Sequence, residues 1–168
     1  DRAFAIEHLG VAPARSLEVT YGIEQPQLPG DLPYSRKQVE SKHAIGTDER
    51  IFLFNGALYH STNYEALEVI LEKVNPILFQ RAGFRYKIIV CGKGLPDRFN
   101  NLSDYQDKNV IYAGFVDDVS LYFKAADLFL NPILSGGGVK TKAIEAISMN
   151  CTVVSTELGA MGIERSVC

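Results

Sequence analysis

The sequence predicts an α/β fold, a parallel sheet flanked by helices. Its strand-like segments (IFLF, YKIIVC, NVIYAG, DLFL) are continuous apolar runs rather than alternating ones, as strands buried on both faces require. Between several of them lie segments whose apolar residues recur at spacings of three and four, the period of an amphipathic helix. From residue 50 the order is strand, helix, strand, irregular segment, strand, helix, strand, loop, helix, strand, which is the pattern of a parallel sheet.

Each element has its own signature. IFLFNGA is a strand ending in Asn55-Gly56. A helix is expected from Asn63 to about Ala82, with Ala66, Leu67, Ile70, Leu71, Val74 and Leu78 on one side. Pro76 should kink or end it. YKIIVCG is a strand closed by Gly92-Lys93-Gly94, and the polar segment LPDRFNNLSDYQDK follows. After the strand NVIYAGF comes a short helix, DDVSLYFKAA, with Asp117 or Asp118 as N-cap. DLFLNP is the next strand, then a glycine loop, a helix from about Val139 to Met149, and the strand CTVVST leading into ELGAMGIE. Before residue 50, DRAFAIEHLG reads as a helix and LEVTY as a strand. The proline- and glycine-rich GIEQPQLPGDLPYS reads as a linker, and RKQVESKHAIG as one or two helical turns. There is no internal repeat and no low-complexity tract.

Composition narrows the function. The 168 residues suit one domain with a sizeable core. With 46% apolar and 22% charged residues, a net charge of -3 and no basic block, the chain is a poor nucleic-acid binder. The three cysteines, Cys91, Cys151 and Cys168, are odd in number and have no C-x-x-C spacing. They indicate neither a disulfide framework nor a zinc site, and favour a reducing compartment. Cys91 and Cys151 lie in or beside apolar runs and should be buried thiols. His8, His43 and His60 are scattered, so no metal is assigned. No apolar run approaches the ~18 residues of a membrane span, and no signal peptide is visible. The chain begins without Met and stops at Cys168, as a piece of something longer would.

The chemistry concentrates in SGGGVKTKAIEAIS, residues 135–148. In an open parallel sheet, ligands bind in loops at the C-terminal ends of strands. A helix N-terminus favours an anion, and glycines let backbone N–H groups approach it closely. On a helical wheel from Val139, positions 139, 143, 144, 146 and 147 share an apolar arc. Thr141, Lys142, Glu145 and Ser148 share the opposite one. Lys140 is the misfit, a cation in the apolar arc at the end of the helix where the dipole disfavours it. Two lysines there point to a bound phosphate or diphosphate. The alternative stays open: the glycines make only a tight turn, Lys140 snorkels outward, and Lys142 and Glu145 form a surface pair of little worth. Two phosphate motifs are excluded. A P-loop would need Gly before Lys140, where Val139 stands, and a dinucleotide fingerprint finds only the fragment Gly92-Lys93-Gly94.

From about residue 50 the chain resembles the C-terminal, donor-binding domain of GT-B fold glycosyltransferases, in the group called glycosyltransferase family 4. The segments that carry the resemblance are FNGALYHSTNYEAL, IIVCGKG, NVIYAGFVDDVSLYFKAADLFLNP, SGGGVKTKAIEAIS and CTVVSTELGAMGIE, in that order. Residues 21–24, Tyr-Gly-Ile-Glu, stand where family members carry a linker motif N-G-V-[DE]. The resemblance implies a Rossmann-like parallel sheet forming one half of a GT-B fold. Residues 1–49 would then be the end of the N-terminal domain and the interdomain linker, and residues 50–168 the nucleotide-sugar domain. It implies that Gly136, Gly137, Gly138, Lys140 and Lys142 hold the donor diphosphate, Glu145 the ribose hydroxyls, and Phe115 and Val116 the base. Two family features are missing. Gly137 stands where many members have a sugar-contacting glutamate, and Ala57, His60, Ser61 and Thr62 replace the basic residues that often follow the first strand.

The implied activity is transfer of a sugar from a nucleoside diphosphate sugar to an acceptor hydroxyl, retaining, without a metal ion or other cofactor. The acceptor, a glycan, lipid or other hydroxyl compound, would meet the missing N-terminal domain, which would supply the catalytic residues. The isolated chain would be inactive. The implied location is the cytoplasm or the inner face of the membrane. Two alternatives remain at this point: another GT-B enzyme of nucleotide sugars, such as an epimerase, or a non-catalytic Rossmann-like interaction domain.

Overall fold

The computed structural model describes residues 2–19, 21–22 and 32–163. Five strands form the sheet: β1 (Arg50–Asn55), β2 (Tyr86–Cys91), β3 (Val110–Gly114), β4 (Leu128–Asn131) and β5 (Thr152–Ser155). All pairings are parallel and the order is β3-β2-β1-β4-β5. The helices are α1 (Arg2–Leu9), α2 (Leu32–His43), α3 (Ser61–Val69), α4 (Asn75–Arg81), α5 (Val119–Ala125) and α6 (Thr141–Ser148).

Alternate side chains of β1 to β4 enter two cores, and β5 adds Val153 to one of them. Phe52, Phe54, Tyr86, Ile88 and Val90 pack with Ala66, Leu67 and Ile70 on the α3 side. Ile51, Leu53, Ile89, Cys91 and Phe129 pack with Val39 of α2, Phe123 of α5 and Ala146 of α6 on the other. The chain leaves β1 by the first face, builds β2 and β3, then returns by the second face to build β4 and β5. Continuous apolar strands are the consequence, since both faces are covered. Cys91 and Cys151 are buried and unpaired, and burial raises both thiols to about 12. Cys168 lies outside the described residues. Among those residues no helix is long and apolar enough to cross a membrane.

Several local expectations are revised. The single helix expected at 63–82 is three pieces, α3, a π-helical turn at Ile70–Val74, and α4. Pro76 is the cause. It has no N–H to give the carbonyl four residues back, and its ring would strike that carbonyl. The wider turn absorbs the misfit, with the Asn75 N–H donating to Ile70 O. The buried Asn75 side chain anchors this point, donating to Lys108 O and accepting from the Tyr86 hydroxyl, both at 2.9 Å. The polar segment after β2 is 3-10 helical over Asp97–Lys108, with Asn100, Asn101 and Leu102 left-handed and Leu102 in the core. Asp118, not Asp117, caps α5, accepting from the Ser120 and Leu121 N–H groups. The LEVTY run forms no strand over its described residues. Leu17 and Val19 are 85% and 81% exposed, with no strand alongside to bond them.

The α2 helix is longer than expected and begins at Leu32, inside the stretch read as linker. It packs Val39 under the sheet, and its Arg36 bonds to the start of two strands. Arg36 donates to Asp127 Oδ2 and Glu40 Oε1, both at 2.7 Å, to Ala125 O and to Glu49 O. Asp127 in turn accepts from the Ile51 N–H and from Arg50, each at 2.8 Å. The expected division at residue 50 falls between α2 and β1, two of the three elements this cluster joins.

Burial works against the Asp127 charge, but the Ile51 N–H, Arg36 and Arg50 outweigh it and hold its carboxyl below the usual range. A carboxyl whose folded pKa is depressed stabilises the fold above its unfolded pKa of about 4, and that contribution is lost as pH falls through the folded value. Arg36→Met should lower the unfolding free energy by about 2–4 kcal/mol in urea titrations, by taking the cation from Glu40, leaving Asp127 with Arg50 and the Ile51 N–H, and unpairing Ala125 O and Glu49 O. Asp127→Asn should flatten the acid limb of a stability–pH curve below about pH 4.

Candidate functional site

The sheet order places a crevice. Strands β1 and β4 are neighbours, but the loop after β1 runs to α3 on one face and the loop after β4 runs to α6 on the other. Loops that part in this way leave an opening at the C-terminal ends of the strands. A cleft of about 140 Å³ lies there, lined by Thr62 and Asn63 of α3, Asn131 at the end of β4, Ile133, and Val139 to Lys142 at the start of α6. Two helix N-termini therefore converge on it, and the first-turn N–H groups of a helix have no partner inside the helix.

The floor of the crevice depends on glycine. A Cβ on Gly92, at φ 146°, would stand 1.8 Å from Gly56 O, so the β2 end can cross the β1 end only without a side chain. A Cβ on Gly56 would lie 2.9 Å from both Asn63 Cγ and Lys142 Nζ. The absent side chain is the room in which these two groups meet. Lys142 reaches from α6 across the opening and donates to Asn63 Oδ1 at 2.9 Å. Burial, only partly offset by Glu145 and reinforced by Lys140, pushes the Lys142 ammonium down to about 8. Lys142 is thus a half-buried cation with a neutral partner, and no ion pair joins it to Glu145 among the described residues.

Lys140 behaves differently. The α6 helix starts at Thr141 rather than Val139, so Lys140 is its N-cap residue and lies outside the apolar arc in which the wheel placed it. Its Nζ turns back on the loop, donating to Gly136 O at 3.2 Å and Gly137 O at 2.9 Å. Gly136 and Gly138 have positive φ (86° and 72°), which the tight loop requires. A Cβ on Gly136 would also press on Thr62 at 3.1 Å. Ser135 ties the loop to α3 by donating to Glu65 Oε2 at 2.9 Å.

The other expected residues are placed as follows. Glu145 stands one turn along α6 from Lys142, partly buried, and its charge acts on Lys142. Phe115 follows β3 at the same edge of the sheet, 66% exposed, with Lys93 Nζ 5.9 Å from the centre of its ring. Val116 is partly buried and packs against the α5-side core. Of the residues 21–24, Ile23 and Glu24 lie outside the described residues. Sequence reasoning missed Thr62, Asn63, Glu65 and Asn131. The first two open α3 as Lys140 and Lys142 open α6, and they become visible once β1 and β4 are known to be neighbours.

A doubly wound parallel sheet with its crevice where the winding reverses defines a Rossmann-like domain. The chain belongs to the group 1 glycosyl transferases, whose family model matches residues 49–167. An uncharacterized 44.6 kDa protein in the cps region of Klebsiella pneumoniae is 28% identical over 116 residues, covering 66% of this chain and 30% of that protein. Among solved structures, a glycosyltransferase from Rickettsia africae ESF-5 superposes with a TM-score of 0.68 at 13% identity, over 94% of this chain and 42% of that one. WaaG, a glycosyltransferase involved in lipopolysaccharide biosynthesis, gives 0.62 at 22% identity, over 93% and 42%. HepE of Anabaena in complex with UDP gives 0.65 at 17% identity, over 93% and 43%. The chain thus spans less than half the length of each of these relatives.

A lysine whose folded pKa lies below its unfolded value costs stability while protonated. The cost is full below about pH 8 and is relieved as pH rises from there toward 10.5. It amounts to about 3 kcal/mol. Lys142→Met should therefore raise the thermal midpoint at pH 7 by several degrees and remove that alkaline rise in stability. Gly92→Ala should have the opposite effect, losing at least about 3 kcal/mol to backbone collision and strain.

Proposed function

We propose that this chain is the donor-binding half of a glycosyltransferase that moves a sugar from a nucleoside diphosphate sugar to an acceptor hydroxyl, with retention and without a metal ion. The observation that carries it is the Lys142 ammonium, held in the switch-point crevice beside a neutral amide, between two helix N-termini. An unneutralised buried cation destabilises a fold, so an anionic ligand is the natural counterpart. The complex of HepE with UDP, in the same fold, supports a nucleoside diphosphate as that ligand.

In this reading the N–H groups of Gly136, Gly137 and Gly138 and the ammonium groups of Lys140 and Lys142 hold the diphosphate. As the glycosidic bond breaks, negative charge grows on the leaving phosphate, and fixed dipoles with a desolvated cation stabilise it there. Such a cradle can take the place of a metal ion. Lys140 exchanges its loop carbonyls for phosphate oxygens. Glu145 accepts from the ribose hydroxyls. The base lies against Phe115 and the Val116 backbone, three strand spacings from the glycine loop, or about 14 Å. An extended nucleoside diphosphate bridges such a distance. Residues 50–168 form the donor domain, and residues 1–49 the end of the N-terminal domain and the linker. The acceptor and the catalytic residues belong to the remainder of the protein, so the isolated chain transfers nothing. Nucleotide-sugar supply places the reaction in the cytoplasm or at the inner face of its membrane. No further cofactor enters.

A thermal-shift panel of UDP, GDP, ADP and CMP on the full-length protein tests the site. A nucleotide at 100 times its dissociation constant adds about 2.7 kcal/mol, a shift of several degrees. One diphosphate should shift the midpoint, and Lys142→Met should lose that shift while remaining folded. Silence across the panel would favour a non-catalytic interaction domain. Sugar transfer should survive EDTA, and activity that returns only with Mg2+ or Mn2+ would refute the metal-free mechanism.

A further inference from the structure

Lys142 does not hold its place by itself. Its side chain leaves α6, crosses the crevice and ends on α3, where Asn63 Oδ1 receives it. Asn63 is 8% exposed and its side chain is fixed from its other end, since Nδ2 donates to Ala57 O at 2.9 Å. That bond settles the amide orientation. A flipped amide would set its NH2 against the ammonium and its oxygen against the Ala57 carbonyl. The backbone of the β1–α3 loop therefore aims a single oxygen at Lys142, in the space that Gly56 leaves open.

We propose that Asn63 is the positioning residue of the diphosphate crevice, a neutral acceptor that fixes the Lys142 ammonium toward the ligand without cancelling its charge. The inference rests on the donor-site reading above. Lys140 spends its donors on the glycine-loop carbonyls, and the other residues lining the crevice are uncharged, which leaves Lys142 as its inner cation. A cation so placed needs an anchor, or its four-carbon stem would sample many rotamers. A carboxylate at position 63 would anchor it too, but as an ion pair, and an incoming anion would then have to displace that charge. An amide orients the ammonium by a dipole and leaves its charge for the phosphates. The charges that act on Lys142 are Glu145 and Lys140 of its own helix, while α3 and the β1–α3 loop present the neutral Asn63 and Gly56.

The test compares wild type, Asn63→Asp, Asn63→Ala and Lys142→Met in the full-length protein. UDP affinity is measured by calorimetry between pH 6.5 and about 9.5, and the Lys142 side chain is titrated by NMR. In the wild type, affinity should be flat at neutral pH and fall above the Lys142 titration. Asn63→Asp should weaken UDP roughly tenfold or more at pH 7 and move both the break and the titration to higher pH. Asn63→Ala should weaken binding with an unshifted or lower break, and its thermal midpoint shows that the fold persists. If UDP binds the wild type and Lys142→Met abolishes binding, but both Asn63 variants keep the wild-type affinity and pH profile, the positioning role is overturned and the donor site stands. If the wild type binds neither UDP nor any other nucleoside diphosphate of the panel at any pH, the donor reading falls, and the inference with it; if it binds another diphosphate instead, the same four-way comparison is made with that one.

Discussion

Parallel pairing on both edges of β1 is the constraint from which the rest follows. A strand with parallel neighbours on each side cannot send its crossovers to one face only, unless all strands are added in one direction. Here β2 and β3 are added on one side and β4 and β5 on the other, so the connections change face between β1 and β4. The two loops that part at that point leave the sheet edge uncovered between them. No side chain has to be spent on opening the crevice. Glycine lets its floor close, where Gly92 rests on the Gly56 carbonyl, keeps open the space over Gly56, and turns the loop at Gly136 and Gly138.

The two ends of the sheet then divide the charges between them. At the N-terminal end, Arg36, Asp127, Arg50 and Glu40 satisfy one another and the strand backbone, and α2, β1 and β4 are held by one cluster. At the C-terminal end, the inner lysine meets only an amide. A buried ion pair close to balance locks geometry, whereas a buried cation left unbalanced lowers stability and stores binding potential for an anion. The rigidity of the fold is set at one end of the sheet and the destabilising group is confined to the other, where a ligand of the proposed kind would offset it.

Much of this was legible in the chain. The apolar runs around Leu53, Ile89, Ile111 and Phe129 marked strands because two covered faces leave no alternation to obscure them. The glycine loop announced itself through Gly136 to Gly138, since few structures other than a close backbone approach call for three in a row. The environment of Lys142 was hidden. On a wheel it shares a face with Glu145 and looks like half of a surface pair, and only the adjacency of β1 and β4 brings Asn63, 79 residues away, within reach. Pro76 was seen, but its outcome was not. Whether a proline ends a helix or widens it by one residue depends on what anchors the far side, here Asn75 between Tyr86 and Lys108. LEVTY had strand composition and no strand to pair with, and pairing, not composition, decides.

The helix start mattered more than its length. Beginning α6 at Val139 puts Lys140 in an apolar arc against the dipole, a conflict that suggests a bound anion by itself. Beginning it at Thr141 dissolves that conflict, because Lys140 stands at the cap and spends its donors on the carbonyls of Gly136 and Gly137. The evidence for an anion moves to Lys142, one residue inside the helix, where the dipole is still unfavourable and solvent is largely excluded. The two lysines therefore have different work to do. Lys140 shapes the loop while the crevice is free and can turn outward at little cost, since its head is exposed. Lys142 cannot leave, because its stem is enclosed and its head is pinned. A compact ammonium suits that position better than a guanidinium would. Its charge is a point, its three donors can serve Asn63 and phosphate oxygens together, and the space over Gly56 admits it without a planar fork to orient. The affinity of the crevice for a diphosphate would then rest on the less conspicuous lysine, the one that the helical wheel places on the polar arc beside Glu145.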